Sequence, residues 1–143
     1  MTAPKPPRRI LRSTGAILAG ILVGAVLSLG LDEVLHILHV YPPWSAPMYE
    51  PALNLLALGY RIVFNIIGCY VIAKLAPHAP MRHAMIGGFI GFALSLAGAI
   101  AASNMNLGPM WYPILLAISA LPCAWIGGAL YIARNRDALA TTS

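Results

Sequence analysis

From Ser13 to Leu31 the chain carries no charged side chain, and three more apolar stretches of similar length follow, separated by Pro-rich or charged breaks. A helix that crosses the hydrocarbon core of a bilayer needs about 20 mostly apolar residues at about 1.5 Å rise each. Four such stretches occupy most of the 143 residues and leave no room for a separate soluble domain. Composition agrees: 59% of the residues are hydrophobic and 9% are charged, against about 25% charged in a typical soluble domain. The expected fold class is therefore all-α: a polytopic membrane protein with four transmembrane helices in a bundle, N-in/C-in.

The breaks set the boundaries. Residues 1–9, with Pro4, Lys5, Pro6, Pro7, Arg8 and Arg9, read as a disordered basic cytoplasmic tail. The four-helix domain is expected at 10–133, with helices at about 10–40, 52–76, 83–103 and 114–133, and a second cytoplasmic tail at 134–143. A basic start before an apolar run also describes a signal peptide, but this run is long, no A-x-A site follows, and three further spans come after it. It is expected to stay as an anchor. Pro42, Pro43 and Pro47 make the first connection an irregular loop, Trp44, Tyr49, Trp111 and Tyr112 form an interfacial aromatic belt, and Pro122 predicts a kink in the last helix.

Net charge of +5 raises the question of nucleic acid, but the basic residues sit at helix ends rather than on a basic face. They report orientation. Lys5, Arg8, Arg9, Arg12, Lys74, Arg82, Arg134 and Arg136 fall on one side, which resists translocation and is expected to be the cytoplasm. The opposite loops hold no Lys or Arg, and Asp32, Glu33 and Glu50 lie on their side. So consistent a bias argues against an antiparallel dual-topology dimer.

In lipid, close packing depends on small residues that let backbones approach. The first helix places Ala16, Gly20, Gly24 and Ser28 at four-residue steps, and the same step reaches Asp32 and His36. The second groups Asn54, Arg61, Asn65 and Gly68 within about 60° at 100° per residue. The third carries Gly87, Gly88, Gly91, Ser95, Gly98 and Ala102, and the fourth Ala117, Ala120, Ala124 and Gly127. Such stripes serve a tight bundle or oligomerisation equally well, and a homo-oligomer or a place in a larger membrane complex both follow from them. The bilayer is the expected partner, and nucleic acid is not.

Arg61 carries the strongest demand, because an ionised side chain in hydrocarbon costs about 2.5 to 3.5 kcal/mol unless it finds a partner or water. Counted from Lys74 it sits about 20 Å from the cytoplasmic side, with Asp32 about 30 Å up when counted from Arg12. A long Arg side chain spans much of that gap, so an ion pair from Arg61 to Asp32 or Glu33 is expected. It reads as a structural clamp between two helices, or as part of a polar path with Asn54 and Asn65. Separately, Asp32, His36 and His39 share a helix face, a spacing that can ligate Zn²⁺, with Met48, Met105 and Met110 as soft donors for Cu⁺. The bland reading is an interfacial polar face with no cofactor. His78 and His83 are expected to be solvated turn residues. Cys69 and Cys123 lie at different depths and read as small hydrophobes, not a disulfide. No nucleophile with a base, Gly-rich phosphate loop or Cys-x-x-Cys pair points to a reaction.

The runs Tyr41-Pro42-Pro43-Trp44, Tyr60-Arg61, Leu75-Ala76-Pro77, Pro80-Met81-Arg82-His83-Ala84, Trp111-Tyr112-Pro113 and Leu121-Pro122-Cys123-Ala124-Trp125-Ile126-Gly127-Gly128 resemble a group of small four-helix bacterial inner-membrane proteins described as uncharacterised. The resemblance covers most of the chain after the basic tail. It implies a bacterial inner membrane and carries no activity. The function expected is a structural or accessory role, with a small transporter or channel using Arg61 and Asp32/Glu33 as the alternative.

Overall fold

A computed structural model of the protein describes residues 6–106 and 108–138. It is all-helical, with no strand among the described residues: α1 (Pro6–Ile37), α2 (Pro51–Leu75), α3 (Pro80–Met105) and α4 (Trp111–Arg134). All four are long and apolar enough to cross a membrane, with mean hydropathies of 2.2, 1.9, 2.0 and 1.8. Their outward faces carry Leu18, Leu22, Val26, Leu55, Phe89, Leu94 and Ile118 in the open. Apolar exposure on that scale suits acyl chains and not water.

The helix ends follow local chemistry. Pro51 and Pro80 open α2 and α3 at positions where a missing N–H costs nothing. Ala76 is extended ahead of Pro77, which ends α2 as the residue before a proline should. The first helix stops at Ile37, short of the expected 40, because His39 turns left-handed at φ 60°. Val40 N–H then donates to Leu35 C=O at 2.9 Å and His39 N–H to His36 C=O at 3.1 Å, the paired bonds of a Schellman cap. At the other boundary α1 begins at Pro6, so Arg8 and Arg9 are helical; residues 1–5 of the expected tail lie outside the described residues, as do 139–143 of the second. Helix α4 is continuous through Pro122.

The small-residue stripes are where the helices meet. Ala16, Gly20 and Gly24 are buried, and a Cβ placed on Gly68 would sit 2.7 Å from the Gly20 carbonyl oxygen, so α1 and α2 cross backbone to backbone. Gly127 does the same for α4 on α2, where a Cβ would lie 2.7 Å from Ile66 O and 2.8 Å from Tyr70 N. Cys69, Ala73, Ala84 and Ala124 form a buried core joining α2, α3 and α4. Both cysteines are free thiols. Packing is extensive for α1 on α2, α2 on α4 and α3 on α4, slight for α1 on α3, and absent between α1 and α4 among the described residues. The connection 38–50 meets the end of α3, since Tyr49 Oη–H donates to Asn106 O at 3.0 Å.

Candidate functional site

Asp32 ends the buried stripe of α1 and is 3% exposed. Facing it on α2 are Tyr60 and Arg61, consecutive residues whose side chains straddle the carboxylate. Tyr60 Oη–H donates to Asp32 Oδ1 and Arg61 Nη2–H to Asp32 Oδ2, the latter an ion pair. Both carboxylate oxygens are thereby engaged by one neighbouring helix. Counted from the 38–50 connection, Asp32 lies five residues inside α1 and Arg61 ten inside α2. At 1.5 Å per residue the offset is about 7.5 Å, which a guanidinium on its long stem covers.

The network continues outward. Tyr41, 6% exposed, follows the cap of α1, and its hydroxyl is 3.0 Å from that of Tyr60. Tyr60 commits its proton to Asp32, so Tyr41 is the donor in that pair. Burial pushes the Tyr41 phenol above its ordinary pKa and keeps it protonated for this role. Arg61 also has the Tyr112 ring of α4 beside it, with Cζ 6.0 Å from the ring centroid, at the outer limit of a cation–π contact. Its Nε–H is buried with no hydrogen-bond partner.

The other expected residues are placed as follows. Glu33 is exposed, one residue and about 100° round α1 from Asp32, and makes no ion pair with Arg61. Asn54 is 2% exposed and donates through Nδ2 to the carbonyls of Met48 and Glu50, both at 3.0 Å, so it fastens the loop to the start of α2. Asn65 lines a cavity next to Arg61. Asp32, His36 and His39 do not converge. His36 donates from Nδ1 to the Asp32 backbone carbonyl at 2.7 Å and stacks on Trp44 at 3.9 Å between centroids, while His39 is carried off the helix by the cap. A Zn²⁺ or Cu⁺ centre there would need Asp32 to leave α2 and His39 to leave its left-handed position. Among the described residues no three His, Cys, Asp or Glu side chains gather as a metal site.

Tyr60, Tyr41 and Tyr112 belong to this network although no motif in the sequence marks them. The one available signal was a tyrosine adjoining an intramembrane arginine. His83, expected as a solvated turn residue, is instead buried: at 4% exposure its Nδ1–H donates to Ala79 O at 3.1 Å and its Nε2 accepts from Ser13 Oγ–H at 2.8 Å. That bond ties α1 to α3 at the end opposite Asp32. Two cavities, of about 340 and 460 Å³, meet at Arg61. The chain matches no protein-family model, no curated protein and no solved structure.

Proposed function

We propose that this chain is a small multi-pass protein of the bacterial inner membrane, with both termini in the cytoplasm and a structural or accessory role. Its four helices form a bundle in which Asp32, Tyr60 and Arg61 lock the first hairpin. One observation carries this reading: the buried carboxylate of Asp32 has both oxygens engaged by α2. A buried pair built this way is costly to break and adds little net stability, so its value lies in fixing how two helices meet. The orientation rests on the distribution of Lys and Arg, and the exposed apolar faces leave room for a second copy or a larger complex.

Reporter fusions test the orientation: alkaline phosphatase inserted at Ser45 should be active and a fluorescent protein at the C-terminus should glow, and the reverse pattern refutes it. The structural role is tested by Arg61→Leu. Reduced membrane yield and a lowered unfolding temperature in detergent are expected, and wild-type values for both would refute the lock.

A second reading is a small transporter or channel using Arg61, Asn54 and Asn65 with Asp32 or Glu33. The two cavities that meet at Arg61 favour it. Solute flux into liposomes that vanishes in Arg61→Lys, a variant that keeps the charge, would move the weight to this reading; absence of flux leaves it with the structural role.

A further inference from the structure

The helices enclose more space than a lock requires. Near Ser13 and His83 α1 touches α3, but beyond that contact a cavity of about 340 Å³ separates them, backed by α2 and α4. Exposed Ala25 and Leu29 of α1 and exposed Leu94 of α3 form part of its lining, so it opens on faces suited to acyl chains. The second cavity, about 460 Å³, shares Arg61, Leu94, Ser95 and Leu116 with the first and continues toward Gly108 and Pro109. Together they offer an apolar trough with a polar stretch at its middle, made by Arg61, Asn65, Ser28 and Ser95, and with Asn54 and Tyr112 further along the second cavity.

The charge of that polar stretch is already balanced. Arg61 is paired with Asp32, so an anionic ligand would place a second carboxylate against one guanidinium and leave a net negative charge in a low-dielectric site. A cation would meet Arg61. An uncharged acceptor oxygen meets neither objection, and the Arg61 side chain, 29% exposed, lines both cavities beside Ser95. We propose that the trough binds an uncharged membrane amphiphile, which presents a carbonyl oxygen to Arg61 and Asn65 and lays its hydrocarbon tail between α1 and α3. Two sources share that chemistry, the ester carbonyl of a neutral glycerolipid and the ring carbonyl of an alkylated quinone. The inference rests on the closed Asp32–Arg61 pair that the structural reading also uses.

The test uses the full chain in dodecyl maltoside, a detergent without carbonyl groups. Didecanoylglycerol, decylubiquinone and decanoate are each titrated, with bound probe read by equilibrium dialysis and native mass spectrometry. One neutral probe should bind saturably, at one per chain, about tenfold or more tighter than decanoate; which one binds identifies the source. Gly91→Leu is the second arm, because a Cβ there meets nothing nearer than Ala120 Cβ at 4.0 Å, so the new side chain extends into the cavity. It should weaken the neutral probe about tenfold or more while leaving the unfolding temperature near wild type. No saturable binding of either neutral probe, tighter binding of decanoate, or unchanged affinity in Gly91→Leu would each overturn the proposal. Failure of the lock is read separately, as wild-type unfolding of Arg61→Leu.

Discussion

The two ends of the α1–α2 contact are joined by different physics. At the Gly20–Gly68 end the backbones touch, and attraction comes from dispersion between surfaces that only glycine lets so close. At the Asp32–Arg61 end the join is made by side chains, a charge pair whose carboxylate is also bonded to Tyr60 and, through it, to Tyr41. The same stripe of α1 supplies both, since four-residue steps lead from Gly20 and Gly24 to Asp32. Close contact fixes how near two helices lie and tolerates sliding along the groove; a buried carboxylate with two partners fixes register. The first end therefore fails by overpacking and the second by leaving a charge alone.

That contrast can be broken by substitution. Arg61→Leu should have the largest effect, about 3–5 kcal/mol, because Asp32 is left buried with Tyr60 alone; denaturant unfolding in detergent micelles measures it. Tyr60→Phe removes one charged hydrogen bond and keeps the ion pair, and the same assay should show about 1.5–3 kcal/mol. At the other end Gly68→Val should cost about 1–3 kcal/mol by forcing α1 off α2. A cysteine cross-link between the two helices would then form more slowly near Gly20 while remaining efficient near Asp32. Ser13→Ala should be smallest, about 1 kcal/mol, since it removes a single neutral hydrogen bond from His83. If Gly68→Val proved costlier than Arg61→Leu, the register role would pass to the glycine crossing.

Much of this contrast was legible in the residues. Spacing alone placed Ala16, Gly20, Gly24 and Asp32 on one buried line, because helical periodicity is insensitive to tertiary detail. The need of Arg61 for an anion was equally plain, although Asp32 and Glu33 remained equal candidates until the direction of the stripe separated them in space. Tyr41 was not legible: it reaches Tyr60 only because His39 adopts a left-handed conformation, and a non-glycine residue in that position announces itself weakly. The same cap explains why an Asp32, His36 and His39 face did not persist, since that face assumed a helix running to residue 40. His83 was placed in a solvated turn by starting the third helix there. Pro80 at the first helical position, a readable signal, puts His83 one turn inside instead. The cavities beside Arg61 had no sequence signature, because they depend on where four stripes of small residues fail to meet.

The central claim is that Asp32 and Arg61 act on each other across the α1–α2 contact. A double-mutant cycle with Asp32→Asn, Arg61→Gln and the combined variant measures that directly by unfolding in detergent. The lock predicts a coupling of about 1–3 kcal/mol, with the combined variant more stable than the sum of the single losses implies. Single losses that add to within about 0.5 kcal/mol would contradict it.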